Sequence, residues 1–282
     1  MAELLKGAPV AKALTEALAR ETETLRGRGV VPCLAIVRVG ERADDLAYER
    51  GACKRCAQIG IETRRVALRA DVEQDEALRA VEALSRDEAV DGILLLRPLP
   101  PTLDEAALCA AIAPEKDVDG VGMPAMAALY AGRGALFAPC TAEACLALLR
   151  GYDVSLAGKR AVVIGRSLVI GKPVSLLLLS ENATVTLCHS RTKDLPAVCR
   201  EADVLIAAAG KAGLIGAEHL RPGQVVLDVG MNAAPDGTLC GDVRTEEALA
   251  AGASVSPVPG GVGAVTTSVL ARHVVEAAKR RI

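Results

Sequence analysis

Aromatic side chains are almost missing from this chain of 282 residues: it has no tryptophan, one phenylalanine (Phe137) and three tyrosines (Tyr48, Tyr130, Tyr152). Apolar residues make up 51% of it, enough for a sizeable core. That core has to be built from Ala, Val, Leu and Ile, so an aromatic ring in a cleft carries more meaning than usual. A charge excess is also lacking. The 33 Lys and Arg against 35 Asp and Glu give a net charge of −2, so no global basic field points to nucleic acid. No apolar run approaches the ~18 residues of a membrane-spanning helix, and no membrane partner is expected. The amino terminus lacks the charged-then-apolar order of a signal peptide.

Cysteine is present but unpatterned. Nine residues are scattered along the chain, an odd number, and several lie within apolar runs. This usage suits reduced thiols in a cytoplasmic protein. Cys53 and Cys56 form one C-x-x-C, with no second pair and no nearby histidine to complete a zinc site. Buried helix thiols are the expectation there, and no metal is expected. No internal repeat or low-complexity linker appears.

What is present alternates. Helical spacing over Val10 to Leu25 precedes an apolar strand from Val31 to Val39. A helix over Ala43 to Ile59 carries Tyr48. Ile61 to Leu68 is a strand, Asp71 to Leu84 a helix, Val90 to Leu96 a buried strand and Leu103 to Ile112 a helix. Such alternation predicts a parallel α/β domain. From Ala113 to Pro139 the pattern loosens, and Pro114 to Gly120 within it is charged, turn-rich and irregular. Thr141 to Arg150 is again helical.

The most informative stretch runs from Arg160 to Thr192. Ala161 to Ile164 is a buried strand, ended by Gly165. A loop through Arg166, Ser167 and Gly171 leads to Pro173, which suits a first helical turn. Val174 to Leu179 continue the helix, and Ala183 to Cys188 form a second strand. This β-α-β unit places glycines where backbone approaches a pyrophosphate and where a helix amino terminus favours negative charge. The spacing is neither G-x-G-x-x-G nor a P-loop, and a tight structural turn is the plain alternative. The second strand decides between cofactors. An NAD site usually ends it with Asp or Glu, which accepts from the ribose 2′-hydroxyl. Here His189, Ser190, Arg191 and Thr192 follow. Arg166 and Arg191 with the Ser190 hydroxyl suit a 2′-phosphate, so NADP is the expected cofactor. Val204 to Ala209 and Val225 to Val229 are further buried strands. Pro257 to Gly263 combines fixed and permissive backbone in a second unusual loop. Thr266 to Arg280 closes the chain as an amphipathic helix, on which His273 is expected as a helix-face residue rather than a ligand.

Six segments in order resemble the methylenetetrahydrofolate dehydrogenase/cyclohydrolase family, the FolD type. They are Pro114 to Gly120, Phe137 to Thr141, Gly165-Arg166-Ser167 with Gly171-Lys172-Pro173, Ala183 to Thr192, Gly241-Asp242-Val243 and Pro257 to Gly263. The resemblance covers nearly the whole chain. It implies an α/β folate domain over residues 1–138 and a Rossmann-like NADP domain over 139–265, with residues 266–282 packing back on the first and a folate cleft between the two. It also implies a homodimer formed through the cofactor domain, and tetrahydrofolate derivatives as substrates. The family oxidises 5,10-methylenetetrahydrofolate with NADP and then hydrolyses the methenyl product. By position, Tyr48 would stack on the folate and Asp119 would bind the amino-pyrimidine edge of the pterin. Pro259, Gly260 and Gly261 would line the cleft beside the nicotinamide. Gly165, Arg166, Ser167, Gly171, His189, Ser190 and Arg191 would hold the cofactor.

The chain departs from the family at one catalytic pair. The lysine expected four residues after Tyr48 is Ala52, the glutamine before the Leu-Pro-Leu-Pro segment is Leu96, and the family serine is Asp45. At about 100° per residue, Lys54 points away from position 52. Arg55 returns to the tyrosine's face but does not give up a proton near neutral pH. Hydride transfer needs positioning, whereas hydrolysis needs a group that moves protons. The expectation is therefore a dehydrogenase with weak or absent cyclohydrolase activity. The alternatives are a bifunctional enzyme using Lys54 or Asp45, and a non-catalytic folate or NADP binder.

Overall fold

The computed structural model describes residues 2–132, 136–234 and 236–282. The chain forms two compact units, one of residues 13–140 with 267–282 and one of residues 1–12 with 141–266. From sequence alone, residues 1–12 go with the amino-terminal half. In the fold they follow the other unit, because Leu5 N–H donates to Val255 O at 2.9 Å and Val255 N–H to Glu3 O at 3.0 Å.

Through residue 131 the elements are α1 (Gly7–Gly27), β1 (Cys33–Val39), α2 (Ala43–Ile59), β2 (Glu62–Leu68), α3 (Gln74–Arg86), β3 (Gly92–Leu95), α4 (Glu105–Ala110), a 3-10 turn at Pro114–Lys116 and α5 (Met123–Ala131). The three strands form a parallel sheet in the order β2-β1-β3. β1 is central and almost wholly buried, which is why its sequence is a continuous apolar run. The edge strand β2 alternates instead, with Glu62, Arg64 and Arg65 exposed. Val37, Ile93 and Leu95 pack with Val81 of α3 and Leu108 of α4 in one apolar cluster.

Helix α2 is fixed at both ends. Asp44 and Asp45 occupy its first turn, where the helix dipole favours them. Gly60 closes it in the left-handed region, its N–H donating to Cys56 O. Asp45, Glu49, Ala52, Cys56 and Ile59 form its buried stripe. The helix α5 falls where the sequence pattern loosens. Pro124 starts it and Gly132 ends it, but only Ala125 is buried, so no apolar periodicity marks it.

The second half contains α6 (Cys140–Gly151), β4 (Arg160–Ile164), α7 (Gly171–Ser180), β5 (Thr184–Cys188), α8 (Leu195–Arg200), β6 (Val204–Ala207), β7 (Val225–Asp228), β8 (Asn232–Ala233), β9 (Leu239–Cys240), α9 (Thr245–Ala250), β10 (Ser254–Val255) and α10 (Gly263–Ala278). Five parallel strands lie in the order β10-β7-β6-β4-β5. Renumbered along this unit, that is the doubly wound order 2-1-3-4-5, a Rossmann-like sheet whose switch point lies between β4 and β6. The carboxyl-terminal residues pack with the first unit. Arg281 Nε lies 3.0 Å from Asp91 Oδ1, and Arg280 donates to Glu115 O at 3.3 Å.

Among the described residues no helix is long and apolar enough to cross a membrane. The nine cysteines are free. Cys56 is buried on α2, and burial pushes its thiol up to about 12.

Candidate active site

Tyr48 and Asp119 belong to the same unit and lie close enough to influence each other electrostatically. Tyr48 projects half-buried from α2, and Asp119 lies half-buried just past the 3-10 turn. Loss of hydration raises the Tyr48 hydroxyl pKa well above its ordinary value, and the negative charge of Asp119 adds to that. Asp119 itself is pushed up to about 6, chiefly by desolvation and further by Asp117. Arg97 is the main influence in the opposite direction, followed by Cys140 and His273. A carboxyl group titrating near 6 in a half-buried site is the kind of group that binds or moves protons in catalysis.

The backbone around Asp119 is held on both sides. Val118 O accepts from the Cys140 thiol at 3.2 Å and faces His273 Nδ1 at 2.8 Å. Cys140 N–H donates to Asp119 O at 3.4 Å. The two Asp117 carboxylate oxygens accept from the N–H groups of Val121 at 3.1 Å and Gly122 at 2.8 Å, closing the turn. Gly120 permits this turn. Its φ is +66°, and a Cβ there would sit 2.5 Å from Ala138 C.

The departures in sequence become physical differences here. Ala52 is 1% exposed and Leu96 6%, so two positions that the family resemblance makes polar are apolar and buried. Lys54 is exposed. Arg55 is occupied elsewhere, donating to Thr15 Oγ1 at 2.8 Å and Gln58 Oε1 at 3.1 Å. Asp45 is buried, with Arg42 Nε 3.9 Å from its carboxylate.

Three residues near Asp119 carry a role that the sequence does not single out. Arg97 stands at the end of the strand β3, 3.3 Å from Glu105. A lone charge closing an apolar run was the available signal. Cys140 appears in the sequence only within a family segment. His273, expected on a helix face, is 3% exposed and stacks on Phe137 with ring centroids 4.6 Å apart.

The other unit carries the loop residues expected to meet a dinucleotide. β4 and β5 pair in register up to Ile164 and Cys188, so Arg166 and Ser190 follow by two residues each at the same sheet edge. Gly165 N–H donates to Cys188 O at 2.9 Å, tying the two strand ends together. Gly165 also crosses the switch point at close range. Its φ is +118°, and a Cβ would lie 2.1 Å from Ala208 O, the residue after β6. Ser167 Oγ accepts from Ile170 N–H at 3.2 Å and shapes the loop, and no side chain caps α7. Arg166, Ser190 and Arg191 are exposed. His189 Nδ1 accepts from Arg191 N–H at 3.1 Å, which fixes the turn that presents both. Gly171 is buried at the start of α7. These features fit a phosphorylated dinucleotide: close backbone, an uncapped helix start and two exposed guanidinium groups.

Two buried carboxylates brace the same sheet edge. Asp242 accepts from the N–H groups of Ala209, Gly210 and Lys211 at 2.6, 3.0 and 2.8 Å. Asp228 accepts from Gly230, Asp242 and Val243 and is pushed up to about 6 by burial. Together they pin the loops that follow β6 and β7. Pro259 and Gly260 are exposed beyond β10 in this unit, and Gly261 is buried. Gly260 O accepts from Gly7 N–H at 2.8 Å. Among the described residues no group of three or more His, Cys, Asp and Glu is arranged to hold a metal.

The catalytic domain of the tetrahydrofolate dehydrogenase/cyclohydrolase family matches residues 5–119, and the NAD(P)-binding domain of that family matches residues 139–282. The chain belongs to this family. It is similar to the bifunctional protein FolD of Clostridium kluyveri, at 47% identity over 281 residues covering 100% of this chain and 99% of that protein. Its fold is similar to that of the bifunctional FolD methylenetetrahydrofolate dehydrogenase/cyclohydrolase of Campylobacter jejuni, with a TM-score of 0.97, 35% identity and 100% of both chains covered. It is also similar to the FolD of Trypanosoma brucei, solved with NADP cofactor and an inhibitor, with a TM-score of 0.92 and 37% identity over 99% of this chain and 98% of that one. Tyr48, Asp119 and Arg97 thus lie in the segment matched by the family's catalytic domain. Arg166, Ser190 and Arg191 lie in the segment matched by its NAD(P)-binding domain.

Proposed function

We propose that this family member oxidises 5,10-methylenetetrahydrofolate to 5,10-methenyltetrahydrofolate with NADP, and that its cyclohydrolase activity is weak or lost. The observation that carries the second half is the burial of Ala52 and Leu96, at 1% and 6% exposure. An alanine and a leucine there supply no proton donor, and Lys54 and Arg55 do not fill the gap.

In this reading Tyr48 stacks on the folate, and the Asp119 carboxylate accepts from the amino-pyrimidine edge of the pterin. Pro259, Gly260 and Gly261 lie beside the nicotinamide. Gly165, Ser167 and Gly171 give the pyrophosphate close backbone. His189 holds the turn from which Ser190 and Arg191, with Arg166, meet the 2′-phosphate. When bound, NADP supplies the hydride acceptor. The substrate carbon loses hydride as a ring-nitrogen lone pair forms the new C–N double bond, so no protein group has to transfer a proton. Positioning is then the main task of the site. Hydrolysis differs, because water must lose a proton as it adds.

A second reading keeps both activities. Asp119, pushed up to about 6, has the tunable character that lysine provides elsewhere. The name of the C. kluyveri relative, bifunctional protein FolD, also supports it.

We also infer a homodimer in the cytoplasm. β5 is an open sheet edge carrying Leu187 at 37% exposure, and the helix α7 packed against β5 carries Leu179 at 59%, which supports pairing with a second copy here. The test of activity follows reduced cofactor and methenyl product in parallel, with 5,10-methylenetetrahydrofolate and NADP. Both rise together in the dehydrogenase reading. Reduced cofactor rising while methenyl product stays low, beyond its spontaneous hydrolysis, selects the bifunctional one.

A further inference from the structure

The 3-10 turn and the loop that carries Asp119 are gripped by the end of the chain. Arg280 donates to Glu115 O at 3.3 Å, and its guanidinium carbon stands 5.0 Å from the centroid of the Phe137 ring. Phe137 stacks in turn on His273 with 19° between the ring planes. The chain's one phenylalanine therefore orients the imidazole. His273 Nδ1 lies 2.8 Å from Val118 O. A carbonyl oxygen only accepts, so Nδ1 carries the proton and donates. Val118 O belongs to the peptide unit whose nitrogen is that of Asp119. Holding that carbonyl on one side, while Cys140 N–H holds Asp119 O on the other, sets the direction in which the Asp119 side chain leaves the backbone.

We propose that His273 is a positioning residue for folate binding: its Nδ1–H, aimed by the Phe137 stack, holds the Val118 carbonyl and so sets the orientation of the Asp119 carboxylate. This rests on the reading of Asp119 as the group that binds the pterin. The Cys140 thiol supplements the contact, 3.2 Å from the same oxygen and 3.6 Å from Nδ1. A thiol is a weak donor, so it does not replace the imidazole N–H. His273 itself is buried on α10 and is assigned no contact with substrate.

Two variants separate the donor from the ring. His273→Asn keeps an N–H donor near the Nδ1 position and loses the stack. His273→Phe keeps the stack and loses the donor. The full-length dimer or monomer, as isolated, is assayed with 5,10-methylenetetrahydrofolate and NADP. The expected result is a rise in folate KM of about tenfold in His273→Phe, the size of one lost hydrogen bond. KM for NADP stays within about twofold, and His273→Asn restores most of the folate KM. An unchanged folate KM in His273→Phe overturns the proposal. So does equal loss in both variants that follows their melting temperatures. If the wild-type protein turns over no folate, the proposed function fails on its own. His273 is then judged by the carboxyl 13C resonance of Asp119, assigned with Asp119→Asn. A resonance moved by His273→Phe and not by His273→Asn supports the positioning role. One moved by both or by neither overturns it.

Discussion

Arg97 is the chief counterweight to the burial of Asp119. The guanidinium at the end of the strand β3 is the largest influence holding the Asp119 carboxyl down, against desolvation that pushes it up to about 6. If ionised Asp119 binds the pterin, the acid limb of folate kcat/KM lies near that value. Arg97→Leu is expected to move the limb alkaline by about one pH unit, and Arg97→Lys to return it most of the way. A pH profile from 5 to 9 at saturating NADP measures this. An unmoved limb would detach Arg97 from Asp119.

Asp119 trades stability for binding. Its folded pKa, about 6, is above the value of an unfolded aspartate, so its contribution is fully present below about pH 4 and is lost as pH rises through 6. Asp119→Asn is expected to remove folate turnover and yet raise the melting temperature at pH 8. The gain is on the order of 1–2 kcal/mol and fades by pH 4. Calorimetry at the two pH values checks the sign.

Ala52→Lys with Leu96→Gln tests the missing catalytic pair by gain of function. Cyclohydrolase turnover is expected to appear or rise, seen as methenyl product consumed faster than its spontaneous rate. Because position 52 is 1% exposed, the double variant is expected to lose roughly 2–4 kcal/mol of stability. Reverting Asp45 to the family serine in the same background tests whether its carboxylate interferes. A stable double variant without hydrolysis would remove the lysine argument.

Arg166 and Arg191 stand exposed at the sheet edge where β4 and β5 end. Replacing either by alanine is expected to raise KM for NADP by about ten- to a hundredfold and to leave KM for NAD within about twofold. The effect should shrink with added salt, because these charges are in water. Equal losses for both cofactors would point to a loop defect instead of a lost phosphate contact.

The open edge of β5 gives an assembly prediction. Leu187→Glu is expected to halve the mass measured by light scattering while leaving the fold intact by circular dichroism. A monomeric wild-type protein would exclude the dimer.

Local pattern made much of this molecule legible. The helix α2 spans the residues expected from its spacing, since an acidic start and a glycine stop are encoded within it. Buried parallel strands announce themselves as continuous apolar runs, as in β4 and β6. The helix α5 did not, because a mostly unburied, alanine-rich element leaves no periodic trace.

By itself the sequence determined the α/β class, the glycine loop at Gly165 and the absence of a lysine and a glutamine at positions 52 and 96. These are properties of residue type and short spacing. Only the tertiary structure decided the strand order that puts Gly165 against Ala208. It also brought Val118, Phe137, Cys140 and His273 together around Asp119, from as far as 155 positions apart along the chain. Such contacts depend on how helices and strands pack. No local spacing encodes them, which is why His273 looks like an ordinary helix residue until the fold is known.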